Sequence, residues 1–471
     1  MMNRRTIIVT RLGALAFAVG SLLGPLPPAR DARAVPPQEP DKAHVPLEAK
    51  RPDPIPPPDV TPDPDFDLKQ FTFTTDQAIQ LFEARVQKDP HDASGFKNLG
   101  EFYERRAKQT GDLAAYEKAE AALRRSLELS PESPRTAAAL AAVLCSRHKF
   151  AEALPIARKL TRQNPGDIDA LATVGDALLE MGQYPEAETA LQDLYRRAPV
   201  PQVIARLANL AELKGEADEA LRLMQRAAEA VRKQGDPRAA SWYLARQGDI
   251  ALGAGRIDEA ESYFQAVPPG TDAYHDATFG LSRVRAARGR LDEAIALGEK
   301  AVAIGPDPHM LAALGDLYLA AGQAAKGEAL FDRLERVTQG HAEYLRERSL
   351  FYANHDRKLP EALALARTDL DQRKDVYGYD ALAWALLKND QPEEAARAIA
   401  EALKLGTEDA KLFYHAGMIY RRLGDRAKAK QYLERALALN PHFSPLQAEE
   451  AHRVLADGAG DAGSAPASRE P

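Results

Sequence analysis

The fold of this chain is decided by a stretch near its end, residues 416–441, which reads AGMIYRRLGDRAKAKQYLERALALNP. Apolar residues recur every three or four positions on both sides of Gly424, as in two short amphipathic helices. Gly424 supplies a turn between them, and Pro441 stops the second helix. Gly417 and Ala429 give each helix a small residue at which the two can approach closely. The stretch therefore predicts a helix–turn–helix unit.

The same unit recurs along the chain at a nearly fixed period. Small residues equivalent to Ala429 follow one another at steps of 33 to 35 residues, with one step of 40. They are Ala119, Ala153, Ala187, Ala220, Ala260, Ala294, Gly327, Ala362, Ala395 and Ala429. A period of about 34 residues is typical of two-helix units stacked into a solenoid. The sequence therefore predicts an all-α solenoid of about ten helix-turn-helix repeats.

A second small residue precedes most of these positions by twelve residues, in the first helix of each unit. The set is Gly100 (nineteen before), Ala141, Gly175, Ala208, Gly248, Ser282, Gly315, Ala383 and Gly417, and the eighth repeat has Leu350 instead. A larger side chain would push the helices apart, and overpacking costs roughly 1–3 kcal/mol. Where the spacing lengthens, at residues 110–116 and 233–240, we expect inserted residues.

The unit at 416–441 resembles a tetratricopeptide repeat (TPR), and residues 171–199 fit nearly as well. The resemblance covers roughly residues 94–441, with weaker matches in the eighth repeat and in the first half of the second. It implies a right-handed TPR-type superhelix whose concave groove holds a protein or peptide segment. We therefore assign residues 95–441 to a TPR solenoid.

The array has a predicted element at each end. Residues 70–94 resemble a lone second helix, a half repeat before the first full unit. Residues 442–456 resemble a C-terminal capping helix, whose polar outer face keeps a terminal repeat soluble. Residues 457–471 are rich in Gly, Ala and Ser and predict a disordered tail.

The N-terminal residues 1–34 have the three parts of a bacterial signal peptide. Three arginines precede an apolar run at residues 12–23, and residues 32–34, Ala-Arg-Ala, offer a cleavage site. The run is too short to span a bilayer comfortably. We expect a bacterial exported form, periplasmic or secreted, that begins near Val35. An uncleaved anchor facing the periplasm, the absence of any targeting role, and Sec or twin-arginine export remain open.

Residues 35–69 form a Pro-rich linker, with eleven prolines between Pro36 and Pro64. Such a segment favours extended polyproline II structure, which would hold the solenoid away from whatever lies upstream. The linker is also acidic, but the aspartates lack the turn Gly and the distal Glu of a calcium-binding loop.

The charge balance disfavours nucleic acid as a partner. The net charge is −7, and removing residues 1–34, with five Arg and one Asp, leaves −11. Binding to nucleic acid depends chiefly on neutralising phosphates. The single cysteine, Cys145, lies in an apolar helical stretch, where we expect a buried, unreactive thiol.

No catalytic or cofactor motif is present. The sequence lacks a phosphate-binding Gly-rich loop with Lys, a His-Glu-x-x-His pair and a Gly-x-Ser-x-Gly elbow. Its ten histidines are scattered. We therefore expect no enzyme activity, no cofactor and no metal. The carboxylate clamp of some TPR proteins is also excluded, because Glu101 stands where its Asn is expected after Lys97.

In the TPR family, positions six before, three before and one after the small first-helix residue face the groove. At these offsets the C-terminal repeats carry large apolar side chains, which often anchor bound segments. The predicted partner-binding residues are Tyr344, Phe351, Tyr377, Trp384, Tyr414, Met418 and Trp242. The alternative is that these side chains pack against the neighbouring repeat.

These features favour a non-enzymatic scaffold that binds a protein or peptide segment outside the cytoplasm, with no stable membrane span after cleavage. A self-associating assembly factor of an envelope complex is the alternative. An enzyme subunit with unrecognised chemistry is the third class.

Overall fold

The computed structural model describes residues 74–462, except 234–237 and 306, with side chains up to residue 457. The described residues form 22 α-helices and no β-strand. Twenty of these helices form ten consecutive pairs, each made of one helix and the next along the chain. This arrangement confirms the predicted all-α solenoid. The predicted signal peptide (1–34) and linker (35–69), and residues 463–471 of the predicted tail, lie outside the described residues.

Helices α2 to α21 form the ten repeats, between α1 (Thr75–Lys88) and α22 (Gln447–Ala462). The first helices of the repeats are α2 (Ala93–Thr110), α4 (Pro134–Ser146), α6 (Ile168–Glu180), α8 (Pro201–Leu213), α10 (Ala240–Gly253), α12 (Tyr274–Ala287), α14 (Pro308–Ala320), α16 (Leu345–Asn354), α18 (Val376–Lys388) and α20 (Ala410–Arg422). The second helices are α3 (Leu113–Leu129), α5 (Phe150–Gln163), α7 (Tyr184–Arg197), α9 (Ala217–Lys233), α11 (Ile257–Gln265), α13 (Leu291–Ile304), α15 (Ala324–Thr338), α17 (Leu359–Gln372), α19 (Pro392–Leu403) and α21 (Arg426–Leu439).

Local sequence explains where the helices start and turn. Asp167, for example, caps α6 by accepting a hydrogen bond from the backbone N–H of Ala170 at 2.9 Å, which satisfies a donor that the helix leaves unpaired. Between α6 and α7, Gly182 has φ +69°. This left-handed conformation is easy only for glycine, and Gly424, the turn glycine of the last repeat, has it too, with φ +80°.

The small residues of the first helices admit one large side chain from the second helix. A Cβ atom added to Gly175 would lie 2.6 Å from Leu191, and one added to Gly417 would lie 2.6 Å from Leu433. Each partner lies sixteen residues downstream, four residues after the periodic alanine. The close contact in these two repeats is therefore between a glycine and a leucine, rather than between two small residues as predicted.

The eighth repeat keeps the small-residue rule with a shift of one position. Ser349, not Leu350, is fully buried, and its hydroxyl donates to the carbonyl of Ala362 at 2.8 Å. In the sixth repeat Ser282 donates to the carbonyl of Ala294 in the same way. A short 3₁₀ turn, Ala342–Tyr344, precedes α16 in this repeat. The apparent exception at Leu350 is therefore a change of register.

The longer repeats accommodate part of their additional residues by extending helices. Helix α2 has 18 residues and α3 has 17, whereas α4 and α5 have 13 and 14. Helix α9 likewise extends to Lys233. At the C-terminus, α22 extends to Ala462, six residues beyond the predicted end of the cap.

The apolar core runs between the helices along the whole stack. Leu123, Leu144 and Leu191 are among the side chains that it buries completely. Cys145 is 4% exposed, and burial raises the pKa of its thiol, so the cysteine is buried as the sequence predicts. None of the described helices combines the length and apolar character needed to cross a bilayer.

The superhelix closes on itself after between five and six repeats. Turns of the first half contact turns of the second half, at sequence separations of 188 to 196 residues. Asn440 Nδ2 donates to the carbonyl of Leu252 at 2.8 Å, and the Val376 N–H donates to the Tyr184 hydroxyl at 2.9 Å. Two further contacts join Thr407 to the Leu213 carbonyl and Arg147 to Glu343. We call this line of contacts the seam.

Candidate ligand cavity

Closure of the superhelix converts part of its concave groove into a cavity of about 680 Å³. Helices α6, α8, α10, α12 and α14 supply one wall. Residues at the seam and at the start of α18 and α20 supply the other. The cavity reaches the surface near Asp218, whose side chain is 87% exposed. Principal lining residues are Glu212, Trp242, Arg246, Asp249, Asp276, Phe279, Arg283, Asp307, His309, Tyr377, Lys411 and Phe443.

The lining of the cavity is strongly acidic. Eleven carboxylate side chains line it, against four from lysine and arginine. The carboxylates belong to Glu180, Glu212, Glu216, Asp218, Glu219, Asp249, Asp276, Asp307, Asp375, Glu408 and Asp409, and the cations to Arg246, Arg256, Arg283 and Lys411. The wall therefore has seven more formal negative charges than positive ones.

Two arginines neutralise part of this charge on α10 and α12. Arg246 lies 2.7 Å from Glu212 and 3.6 Å from Asp249, while Arg283 lies 3.2 Å from Asp249. Both oxygens of Asp249 thus have an arginine partner. Burial nevertheless raises the pKa of Glu212, because the free-energy cost of removing this carboxylate from water exceeds the stabilisation that Arg246 gives it.

Asp276 on α12 is less well compensated. Its side chain is nearly buried, and Oδ1 lies 3.3 Å from Nε2 of His275. Oδ2 accepts no hydrogen bond from the residues that the structure describes. Burial raises the pKa of Asp276 well above its ordinary value, and the carboxylates of Asp249 and Asp307 raise it further.

Aromatic side chains interrupt the acidic wall. Trp242 on α10 and Phe279 on α12 lie on the same side as Asp276, while Tyr377 and Phe443 lie opposite, near the seam. The indole N–H of Trp242 is buried without a hydrogen-bond partner among the described residues. A ligand that reached this donor would satisfy it, and the half-buried rings of Trp242, Tyr377 and Phe443 offer apolar surface beside the charges, whereas Phe279 is 3% exposed.

Of the predicted partner-binding residues, the structure brings Trp242 and Tyr377 to the cavity. Both side chains are half-buried. Tyr344 is half-buried in the 3₁₀ turn, where its ring meets that of His341 edge-on. Met418 is half-buried and packs on the core near the C-terminal cap. These last two therefore lie away from the cavity lining.

Phe351, Trp384 and Tyr414 differ from the expectation that they face an open groove. They are between 1% and 3% exposed. Trp384 donates its indole N–H to Asn354 Oδ1 at 2.8 Å and stacks on His415, with ring centroids 4.3 Å apart. Tyr414 donates its hydroxyl to Glu450 on the capping helix at 2.7 Å. Contacts with neighbouring helices, the alternative that the sequence left open, cover these side chains.

The search for large apolar side chains missed the polar residues of the cavity. Several of them nevertheless stand at the groove-facing positions of the first helices, six before or one after the small residue. Six positions before the small first-helix residue stand Trp242, Asp276, His309, Tyr377 and Lys411 in the fifth, sixth, seventh, ninth and tenth repeats, and these five line the cavity, whereas Asp169 and Gln202 at the same offset in the third and fourth repeats do not. One position after the small residue stand Asp249 and Arg283, which also line it. The offset was therefore a useful signal in the middle repeats, for polar as well as aromatic residues, but Asp316, Trp384 and Met418 at this second offset do not line the cavity.

Profiles of repeat families match several parts of the chain. Residues 410–443 match one tetratricopeptide-repeat profile, and residues 174–237 and 245–307 match another. Residues 112–194 match the profile of anaphase-promoting complex, cyclosome, subunit 3. None of the curated proteins matches the chain.

Similar solved structures include the APC/C hetero-tetramer Cut9–Hcn1, at 14% identity and a TM-score of 0.36, with 82% of this chain and 93% of that chain covered. Yeast Tom70 gives 14% identity and a TM-score of 0.34, with the same coverage. A monomeric mutant of IFIT1 with m7Gppp-AAAA gives 18% identity and a TM-score of 0.38, with 77% of this chain and 76% of that chain covered.

The profile matches fall on units that the structure forms as helical pairs, and the period, turn glycines and small-residue contacts of these pairs are those of the repeat. The chain belongs to the tetratricopeptide-repeat proteins, a family of protein-interaction scaffolds.

Proposed function

We propose that this protein is an exported, non-enzymatic scaffold that holds a segment of a partner protein in the cavity enclosed by the seam. The observation that carries the proposal is the cavity itself, in which acidic and aromatic side chains from successive first helices converge. A volume of about 680 Å³ lies within the range of specific ligand sites, roughly 300–1,000 Å³. It suits a few residues of an extended chain rather than a whole domain.

The experiment is capture of a partner from an envelope extract with the mature chain, residues 35–471. Trp242→Ala removes an aromatic side chain of the cavity wall, and Tyr195→Ala removes a half-buried one on the second helix α7. We expect a stoichiometric partner that the Trp242→Ala variant retains poorly and the Tyr195→Ala variant retains fully. A partner retained equally by both variants would place the binding surface elsewhere.

Measurement of the mass in solution addresses the alternative function. A scaffold that binds a foreign segment in its cavity is expected to be monomeric when purified. A self-associating assembly factor would instead give a larger mass that rises with concentration and would retain only further copies of itself. That result would replace the proposed function with the structural one.

Export is the second part of the proposal, and it rests on the sequence of residues 1–34. N-terminal sequencing of the protein from fractionated cells is expected to find a chain that begins near Val35 outside the cytoplasm. An intact chain that begins at Met1 in the cytosol would contradict export, while leaving the cavity proposal untouched.

A further inference from the structure

We propose that the segment held in the cavity inserts a cationic side chain, lysine or arginine, against Asp276. This inference rests on the proposed function and adds the chemistry of the ligand. It starts from the geometry of α10, α12 and the turn before α14, which place Asp249, Asp276 and Asp307 around one part of the cavity.

Asp276 is the carboxylate of this group whose second oxygen lacks a partner. Its side chain is 8% exposed, and Oδ2 has no hydrogen-bond donor among the described residues. Asp249 has Arg246 and Arg283, and Asp307 accepts from the backbone N–H of His309 at 2.8 Å. A buried carboxylate without full compensation costs free energy that a ligand cation would return.

The charges around Asp276 also favour the binding of a cation. Asp249 on α10 and Asp307 before α14 both act on it as like charges, and Arg246 is the cation that opposes them. Arg246 is itself engaged with Glu212 at 2.7 Å. A further positive charge would therefore be attracted by Asp276 and Asp307, whereas the attraction by Asp249 is offset by Arg246 and Arg283, which pair with it.

Aromatic side chains suit the remainder of such a ligand. Phe279, one helical turn from Asp276 on α12, is 3% exposed and packs in the core, so Trp242 is the aromatic ring available beside Asp276. Trp242 lies on the adjacent helix α10, with an indole N–H that has no partner among the described residues. A lysine or arginine stem can lie against the half-buried ring of Trp242 while its charged end reaches the carboxylate. The indole can donate to a backbone carbonyl of the bound segment.

The same features argue against a bare metal ion. A cavity of about 680 Å³ is far larger than an ion needs. Among the described residues, no group of three or more His, Cys, Asp or Glu side chains is arranged to hold a metal. The chemistry that fits is an organic cation with apolar stem atoms, and the TPR fold favours a peptide as its source.

Cation binding at Asp276 also predicts a pH dependence. Because burial and the neighbouring Asp249 and Asp307 raise the pKa of Asp276, the free protein retains a proton there to higher pH than an ordinary aspartate. A bound cation lowers that pKa, so binding releases a proton and the affinity rises with pH. His275 and Arg246 also lie beside Asp276, and neither is substituted in the test.

The test uses the mature chain, immobilised, and a library of capped hexapeptides of random sequence. Peptides retained on the column are expected to be enriched in lysine and arginine. Retention of peptides without that enrichment would overturn the cationic ligand and leave the scaffold function standing. If the column retains no peptide but an envelope protein is still captured through Trp242, the cationic ligand is overturned as well. If neither a peptide nor an envelope protein is retained, the scaffold function is overturned too.

An enriched peptide is then titrated calorimetrically against matched variants. Asp276→Asn is expected to weaken binding about thirtyfold or more, as for loss of one partner of a buried charge pair. Asp332→Asn, the same change at an exposed site on α15, is expected to leave the affinity within about twofold of wild type, since it lies outside the cavity. Equal affinity of all three proteins would overturn the role of Asp276.

Two further titrations identify the source of the cation. Replacing the arginine of the peptide by citrulline keeps its shape and removes its charge, and is expected to match the loss caused by Asp276→Asn. Between pH 5.5 and pH 8 the affinity for the charged peptide is expected to rise more for wild type than for Asp276→Asn, because Asp307, whose pKa burial raises to about 7, titrates in both proteins. Tight binding of spermidine that depends on Asp276, without peptide retention, would assign the cavity to a free polyamine and overturn the peptide ligand.

Discussion

At the scale of single residues, the two tryptophans of the chain illustrate how equivalent helices give different environments. Trp242 lines the cavity with an unsatisfied indole N–H, while Trp384 is 3% exposed and bonded to Asn354. The first helix of every repeat contributes to the concave side. Near the C-terminus, however, the cap and neighbouring repeats cover that side, so an aromatic residue there becomes part of the core.

Truncating the two tryptophans is expected to separate binding from stability. Trp384→Ala removes a buried ring and leaves a cavity, which typically costs about 3–5 kcal/mol, so its thermal unfolding midpoint should fall sharply. Trp242→Ala should change the midpoint little and weaken peptide binding by about 2 kcal/mol or more, as an interface hot spot does. Circular dichroism melts and calorimetric titrations measure the two effects. Equal loss of stability in both variants would contradict the distinction.

Asp307 is expected to make stability depend on pH. Its burial raises its pKa from 3.8 to about 7, so the folded protein holds a proton that the unfolded chain loses near pH 4. Stability therefore falls as pH rises from about 4 to about 7, and the loss persists above pH 7. With about 1.4 kcal/mol for each pKa unit, the full effect is on the order of 4 kcal/mol.

Asp307→Asn provides the matched measurement, because asparagine also caps a helix but does not ionise. The variant is expected to have a higher unfolding midpoint than wild type at pH 8 and nearly the same midpoint at pH 4. A difference between the two proteins that is constant across this range would contradict the assignment of the titration to Asp307.

At the scale of elements, the eighth repeat replaces part of the usual apolar packing with a buried ionic network. Arg346 on α16 donates to Asp369 on α17 and to Asp375, the N-cap of α18, at 2.7 to 3.0 Å. Arg373 donates to Asp369 at 2.7 and 2.9 Å. All four side chains are nearly fully buried. The network joins the eighth repeat to the ninth.

Breaking this network is expected to be costly. Arg346→Ala leaves the buried Asp375 without its arginine and Asp369 with Arg373 alone, and loss of one partner of a buried ion pair typically costs about 3–5 kcal/mol. Arg346→Lys keeps the charge but cannot make the forked contacts with Asp375 and Asp369, so we expect an intermediate loss. Urea unfolding of the two variants measures the order. A stable Arg346→Ala protein would show that the network contributes little to the junction.

The sequence predicts elements well where local rules act and fails where contacts are distant in the chain. The period, turn glycines and prolines specify helices that the structure forms, because each signal acts within one repeat. The buried Arg346 network escaped prediction, since its partners lie 23 and 29 residues away. Trp384 was expected in the groove because the covering of its ring by His415, from the next repeat, is not visible in a single-repeat pattern.

At the scale of the whole molecule, the feature that the sequence did not predict is closure of the superhelix. The repeats predict a curved array, and the amount of curvature depends on small rotations between neighbours that no single motif specifies. In the structure this curvature brings the turns of the second to fifth repeats against the turns that precede the eighth, ninth and tenth repeats and the cap. The seam in turn encloses the cavity.

Three turn glycines allow the seam to form, and they provide a test of closure. A Cβ atom on Gly182 or Gly255 would overlap the carbonyl oxygens of Lys374 and Leu439, and one on Gly215 would lie 2.7 Å from the Gly406 oxygen. Gly289, Gly322 and Gly424 have similar positive φ angles, but a Cβ atom there would meet nothing within 4 Å. Alanine at either set would therefore strain the turn, but only alanine at Gly182, Gly215 and Gly255 would also disturb the seam.

Replacing each set of three glycines by alanine separates the two effects. Both triple variants bear the left-handed strain of alanine, roughly 1–2 kcal/mol per site, so both melt earlier than wild type. Only the variant at Gly182, Gly215 and Gly255 is expected to open the seam, with a larger radius of gyration in X-ray scattering and weaker binding of the cavity peptide. The other variant should keep the wild-type radius and affinity. If the two variants scatter alike, the curvature of the repeats is sufficient to close the superhelix, and the seam is a consequence of closure rather than its cause.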